Sequence, residues 1–178
     1  DLLAAQQFER QRPIEAEKNW KRVRDLLSKA LPEEHPQRIA VLSHLAACAL
    51  VLRGPEEAID LYDQAVRLSD SADEDDSVVK LDAVLGLGLT YLRANQFALA
   101  EPHVKRGLKM IGNLSDREMR MEKLLIDKLL TCYVFQGKFG DALRLLPDSL
   151  RAKHTRDFRD MLYQIANVIR KAIGKEPL

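Results

Sequence analysis

The side chains best suited to chemistry are four histidines and two cysteines, and their spacing does not bring them together. None of the histidines (His35, His44, His103 and His154) has another histidine, a cysteine or a carboxylate at ligand spacing on one face, so we expect no metal site. The sequence also lacks a G-x-S-x-G elbow, a phosphate-binding loop, a dinucleotide fingerprint and a Cys–His nucleophile arrangement. We therefore predict that the chain is not an enzyme and requires no cofactor.

An acidic segment at residues 69–76, with the sequence Ser-Asp-Ser-Ala-Asp-Glu-Asp-Asp, is a second candidate site. Its functional interpretation is a calcium loop or a phosphorylated segment. The alternative is a solvated connector whose acids favour the N-terminus of a helix that begins near Val78. The segment lacks the glycine and the terminal glutamate of an EF-hand loop, which favours the connector.

Composition is typical of a globular protein and argues against two classes of function. Apolar residues make up 46% of the chain and charged residues 31%, with 28 basic and 27 acidic side chains. A net charge of +1 argues against a nucleic-acid binder, whose affinity rests on many cations. The longest nearly apolar run, residues 39–52, is too short to cross a bilayer, so no membrane insertion is expected.

The N-terminus bears on the cellular location. No signal-peptide pattern precedes the domain, and we expect an intracellular, cytoplasmic protein. Because the chain begins at Asp1 and not at a methionine, an excised domain whose missing flank directs organelle import stays an alternative.

A period of 42 residues organises the chain. Alanines recur at this interval as Ala16, Ala58, Ala100 and Ala142, and leucines as Leu3, Leu45, Leu87 and Leu129. A long fixed period predicts one supersecondary unit used four times in a stacked array. Cys48 and Cys132 are two periods apart, so we expect buried, reduced thiols at equivalent positions and no disulfide between them.

Each unit is predicted to be a helix hairpin. Apolar residues recur at three- and four-residue steps, as in Ile39, Leu42 and Leu45, and no segment alternates like a strand. The small residues Ala46 and Gly88 would let the first helix of a hairpin approach the second closely. The predicted fold class is therefore all-α.

Two segments carry a family resemblance. Leu87-Gly88-x-x-Tyr91 followed by Ala100, and Leu129-x-x-x-Tyr133 followed by Ala142, resemble the pattern of the tetratricopeptide repeat (TPR). The 42-residue period and the string at residues 33–36, Glu-Glu-His-Pro, are similar to the repeats of kinesin light chains. The resemblance implies a right-handed superhelix of about four hairpins at residues 1–155, followed by a C-terminal capping helix and tail at residues 156–178. We also predict a kink or break at Pro147.

The resemblance further implies where a partner would bind. In TPR arrays the first helices of the hairpins line a concave groove, and the matching positions here mix apolar and charged residues. They are His44, Ala47, Leu50, Asp82, Leu85, Leu89, Arg93, Asp127, Lys128, Thr131 and Phe135. An apolar floor of leucines suggests an amphipathic helix or an extended apolar peptide as the ligand. Alternatively, the capping helix or a missing flank of the protein covers these leucines.

Two ligand-binding mechanisms of related domains do not carry over. The clamp for a C-terminal carboxylate uses lysine and asparagine, where this chain has Asp1, Ala5, His44, Asp82 and Gly86. The asparagines that hold cargo peptides in kinesin light chains are likewise replaced, by His44, Gly86 and Lys128. His44 and Lys128 could still donate hydrogen bonds.

The function that we predict is a non-catalytic protein-interaction module, an adaptor or scaffold that captures a protein or peptide partner in the groove. One alternative is a regulatory sensor that binds a small peptide effector. Another is a structural scaffold that self-associates through an uncapped end. A set of basic residues on the second helices is interpreted as a solvated helix face and not as a binding strip. They are Lys105, Arg106, Lys109, Arg144 and Arg151.

Overall fold

The fold is seen in a computed structural model that describes residues 12–72, 77–111, 116–138, 140–142, 144, 145, 164 and 167. Every regular element within these residues is an α-helix, which confirms the predicted fold class. The helices are α1 (Pro13–Ala30), α2 (Pro36–Leu52), α3 (Pro55–Ser71), α4 (Ser77–Arg93), α5 (Phe97–Met110) and α6 (Asp116–Phe135). Leu3, Pro147 and most of the predicted capping helix lie outside the described residues.

Local sequence signals explain where the helices begin. Pro13, Pro36 and Pro55 each occupy the first turn of a helix, where the missing backbone N–H costs nothing and the fixed φ suits a helix. His35 caps α2, because its Nδ1 accepts a hydrogen bond from the backbone N–H of Gln37 at 3.2 Å.

The turns inside the hairpins each use one residue with positive φ. Gly54 joins α2 to α3 with φ 103°, and Asn95 joins α4 to α5 with φ 58°. Gly137 follows α6 with φ 68°. Glycine and asparagine are the residues that tolerate this backbone region best. The hairpin turns thus recur at nearly the repeat period.

The chain divides into two compact units, residues 1–110 and residues 111–178. In the first unit α1 packs on α2, α2 on α3, α3 on α4 and α4 on α5. The first helices of neighbouring hairpins, α2 and α4, also contact each other. Two hairpins, α2–α3 and α4–α5, therefore stack side by side after α1, which the period identifies as the second helix of a preceding hairpin.

The core of the first unit is built from the small and aliphatic residues of the repeat, with one tyrosine. Its buried members are Ile39, Ala46, Tyr62, Ala65, Val66, Ala83, Val84 and Leu87. A Cβ placed on Gly88 would lie 3.1 Å from the Cβ of His103 and 3.4 Å from the backbone nitrogen of Val104. This confirms that Gly88 permits a close approach of α4 and α5.

The buried residues of the second unit lie mainly along α6. Leu125, Leu129, Leu130 and Tyr133 are buried, together with Ala142 from the residues that follow. Cys132 in this unit and Cys48 in the first are both buried and are not joined by a disulfide, as predicted.

Part of the acidic segment is helical and not a connector. Residues 69–71 belong to the end of α3, and the buried Ser69 donates a hydrogen bond through its Oγ to the carbonyl of Val66 at 2.8 Å. The carboxylate of Asp70 contacts Lys80 at 3.1 Å and accepts a hydrogen bond from Arg106 at 2.8 Å. Asp70 therefore joins three helices, and residues 73–76 lie outside the description.

Candidate binding face on the first helices

The surface formed by α2 and α4 is the candidate binding site of the first unit, and we call it the first-helix face. Residues 42 positions apart occupy equivalent places on the two helices, so Ala47 corresponds to Leu89 and His44 to Gly86. Since α2 and α4 contact each other, these equivalent positions form two parallel rows. The predicted groove residues of the two complete hairpins therefore lie on two helices that contact each other.

His44 is engaged in packing between hairpins. Its ring stacks on Trp20 of α1, with centroids 4.2 Å apart and an interplanar angle of 14°. Burial lowers the pKa of His44, because removal from water disfavours the charged imidazolium. His44, which was predicted to contact a ligand, is therefore a half-buried packing residue.

Gly86 plays the complementary part in the next hairpin. A Cβ at this position would lie 2.2 Å from Cε1 of Tyr62, so the tyrosine ring occupies the space that a side chain would need. Trp20 precedes His44 by 24 residues, and Tyr62 precedes Gly86 by the same interval. The sequence pattern marks Trp20 and Tyr62 as bulky packing residues but does not by itself pair them with His44 and Gly86, and this repeated 24-residue interval is the signal that could have done so.

Asp82 is the charged group of the face whose pKa is most clearly shifted. Burial raises its pKa to about 6, because a carboxylate loses hydration there. No hydrogen bond or ion pair joins it to any other residue that the structure describes. A partly buried carboxylate of this kind gains most from a cation or an N–H donor brought by a ligand.

The remaining predicted residues of the first unit differ in accessibility. Ala47, Leu50 and Leu89 are partly exposed, and Arg93 is exposed at the end of α4. Leu85, predicted for the exposed floor, is only 5% exposed and belongs to the buried set. The burial of Leu85 shows that its predicted place on the exposed floor is wrong. Leu85 is on α4, which contacts both α2 and α3, so a wider stripe of this helix is buried than the predicted alternation of core and groove positions allows.

The second unit places its predicted residues on α6, where several are already paired. Lys128 and Asp127 form an ion pair at 2.9 Å, and the Thr131 hydroxyl donates to the carbonyl of Asp127 at 2.9 Å. Phe135 is 67% exposed at the end of the helix. Lys128 and Thr131 therefore have partners within their own helix.

The suspected basic strip is largely neutralised within the molecule. Lys105 donates to Glu101 at 2.6 Å, and Arg144 contacts Asp141 at 3.2 Å. Arg106 pairs with Asp70, and this hydrogen bond holds the pKa of the Asp70 carboxyl below its usual range. Arg151 lies outside the described residues. These pairs agree with the interpretation as a solvated face.

Groups of three or more possible metal ligands do not occur among the described residues. Nor does any helix in the described part of the chain have the length and apolarity needed to span a membrane.

Comparison with known proteins identifies the repeat. The tetratricopeptide repeat family model matches residues 37–111, which run from the first turn of α2 to the residue after α5. Residues 37–111 are tetratricopeptide repeats. The two complete TPR hairpins of the first unit coincide with this match.

Solved structures extend the likeness to the fold of the whole chain. A kinesin-light-chain-like protein of Podosopora anserina with nearly identical TPR-like repeats superposes with a TM-score of 0.77 at 20% sequence identity. The alignment covers 97% of this chain and 87% of that one. A single-substitution variant of the same protein gives the same TM-score and identity, with 86% of its chain covered. A search of curated protein sequences found no match.

These findings give the general class of function. TPR repeats form protein-interaction scaffolds, and the fold of this chain is that of a TPR-like repeat protein.

Proposed function

We propose that this chain is an adaptor that captures a peptide or an amphipathic helix on the first-helix face of α2 and α4. The observation that carries the proposal is the side-by-side contact of α2 and α4. It brings the helix that carries the partly exposed Ala47 and Leu50 beside the helix that carries Leu89 and Asp82, whose carboxylate has no hydrogen bond or ion pair with another described residue. Small and aliphatic side chains beside one carboxylate suit a ligand with apolar residues and a basic or N–H donor group.

The packing between hairpins supports this face as a rigid platform. His44 is fixed by Trp20, and the ring of Tyr62 fills the space above Gly86. Because these contacts already hold side chains of α2 and α4 in place, few further side chains would be immobilised on binding. The loss of conformational entropy on binding would then be small. Capture would therefore depend on the residues that stay accessible and not on His44, Gly86 or Leu85.

The test is affinity capture from a cell lysate, read by mass spectrometry, with the parent chain and two matched variants. Leu89→Glu places a charge on the first-helix face. Leu99→Glu makes the same change on α5, where Leu99 is 52% exposed. We expect a partner that the parent and Leu99→Glu retain and that Leu89→Glu loses.

Thermal unfolding of each variant separates loss of binding from loss of folding. Equal capture by folded Leu89→Glu and by the parent would move the interface away from the first-helix face and contradict the proposal. Loss of the partner with Leu99→Glu alone would assign the contact to α5.

A further inference from the structure

We propose that the outward side of α1 is a second docking surface, for an acidic protein segment. Lys18, Arg22 and Lys29 form the surface, with Ile14 and Leu26 beside them, and we call it the basic stripe. It lies on a second helix of the repeat and is separate from the first-helix face and from the function proposed for that face.

The helical spacing places the three cations in one row. Steps of four and seven residues return to nearly the same side of a helix with 3.6 residues per turn. Ala16, the residue that α1 buries, is two residues before Lys18 and therefore on the far side. The row points outward, and all three cations are exposed.

The cations of the basic stripe are unneutralised, unlike the other cations near them. Lys18, Arg22 and Lys29 have no hydrogen bond or ion pair with any residue in the part of the chain that the structure describes. The other cations are paired: Lys21 with Glu17 at 2.9 Å, Arg24 with Asp25 at 3.1 Å and Arg12 with Glu15 at 3.4 Å. Asp25 shares the side of the stripe, but its carboxylate is held by Arg24.

Exposed aliphatic side chains accompany this charge. Ile14 is 70% exposed and Leu26 is 68% exposed. Single exposed aliphatics are ordinary, but two of them within four turns of three unpaired cations offer both apolar area and charge to one partner. The stripe from Ile14 to Lys29 extends about 22 Å along the helix axis, which matches about four turns of a docked helix.

Charge complementarity selects an acidic protein segment as the occupant. A membrane-surface helix has a continuous apolar face with its cations along the sides, whereas here the cations occupy the middle. A nucleic acid requires many more cations. At the equivalent positions of α3, Asp60 replaces Lys18, Gln64 replaces Arg22 and Ser71 replaces Lys29, so the neighbouring second helix does not repeat the stripe.

The probe for the experiment is a labelled synthetic peptide of about 15 residues, with glutamates on one helical side and leucines at its edges. Binding is followed by fluorescence anisotropy at two salt concentrations, and a lysine-for-glutamate peptide serves as the sequence control. Lys18→Glu/Arg22→Glu tests the stripe. Lys109→Glu/Arg120→Glu changes the net charge equally at exposed cations on α5 and α6.

We expect the acidic peptide to bind the parent, to weaken with added salt, and to lose about tenfold in affinity in the stripe variant. The control variant should lose less than about twofold. Equal losses in both variants, or no binding by the parent, would overturn the proposal. So would parent binding to vesicles of anionic lipid without binding to the peptide. Circular dichroism checks that both variants are folded. The peptide experiment does not depend on the first-helix face, so its outcomes keep their meaning if the Leu89→Glu test fails.

Discussion

Two contacts between neighbouring hairpins use the same repeat positions and different residues. In the first, Trp20 of α1 stacks on His44 of α2 at 4.2 Å. In the second, Tyr62 of α3 lies over Gly86 of α4, where even a Cβ would be only 2.2 Å from the ring. The first contact is between two aromatic rings, whereas in the second a ring packs against a glycine.

The difference shows that the repeat preserves a filled space and not a residue type. A close-packed interface requires that the volume between helices be occupied without overlap. The indole keeps room for the imidazole of His44, whereas Tyr62 reaches over the backbone of α4 and requires glycine. The same two regions also differ at the edge of the first-helix face, where Ala40 of α2 corresponds to Asp82 of α4.

The largest expected effect on the unfolding free energy comes from a charged substitution at a core position of the 42-residue register. Leu87, equivalent to Leu45, is 1% exposed, so Leu87→Asp buries an unpaired charge and should cost more than about 4 kcal/mol of unfolding free energy. Denaturant unfolding measures this. Arg22→Ala, on the exposed side of α1, should change the free energy by less than about 0.5 kcal/mol. A Leu87→Asp variant as stable as the parent would show that the register is wrong.

Removing the charge of Asp82 on α4, which corresponds to Ala40 on α2, should stabilise the protein at neutral pH. Burial raises the pKa of Asp82 to about 6 from 3.8, so the folded state holds a proton that the unfolded state has lost between these values. Stability therefore falls as pH rises through this window, and the penalty persists above it. Asp82→Asn should raise the unfolding free energy at pH above about 7 by up to about 3 kcal/mol, and by much less near pH 3.

The measurement for Asp82 is the unfolding free energy across pH, with parent and variant compared at each point. A constant difference between the two proteins at every pH would mean that Asp82 does not titrate in this window. The outcome also bears on the first-helix face, because a ligand cation next to Asp82 would remove the same penalty.

A smaller effect is expected from adding one methyl group to the second contact. Gly86→Ala overlaps the Tyr62 ring and should cost about 1–3 kcal/mol, although alanine is the better helix former. Tyr62→Leu in the same chain should relieve part of the overlap. A double-mutant cycle on unfolding free energies measures the coupling, and independent, additive effects would contradict the contact.

The smallest effect concerns the first contact. Burial lowers the pKa of His44, so the unfolded state takes up a proton at a higher pH than the folded state does. Stability is thus lost as pH falls through the unfolded histidine pKa of about 6.5. His44→Gln should flatten this part of the stability–pH profile. An unchanged profile would assign the acid sensitivity to other groups, of which His103, with its pKa also lowered by burial, is the first candidate.

Sequence reasoning predicted the parts of the fold that are local or periodic. Helical spacing gave the all-α class, the recurrence of Ala58 and Ala100 gave the register, and Gly88 gave the close approach of α4 and α5. The burial of Leu85 and the role of Gly86 depend on what lies across the interface between hairpins. Those neighbours are set by the angle and offset of stacking, which the residue pattern of one helix does not contain.

The site was predicted less completely for the same reason. The residue types on the first-helix face follow from the repeat register, but their accessibility depends on packing. His44 was assigned to a ligand because its spacing fits the face, and its stacking on Trp20 involves a residue 24 positions away. Pairing of Lys128 with its neighbour Asp127 is a choice of rotamer, which spacing alone does not decide.

Photo-crosslinking tests the central claim, capture on the first-helix face, most directly. A benzophenone amino acid replaces Ala47, which is partly exposed on α2, or Ala98, which is exposed on α5, and each protein is irradiated with the captured partner. The account predicts a covalent adduct from position 47 and none from position 98. An adduct from position 98 alone, with the partner still bound, would contradict it.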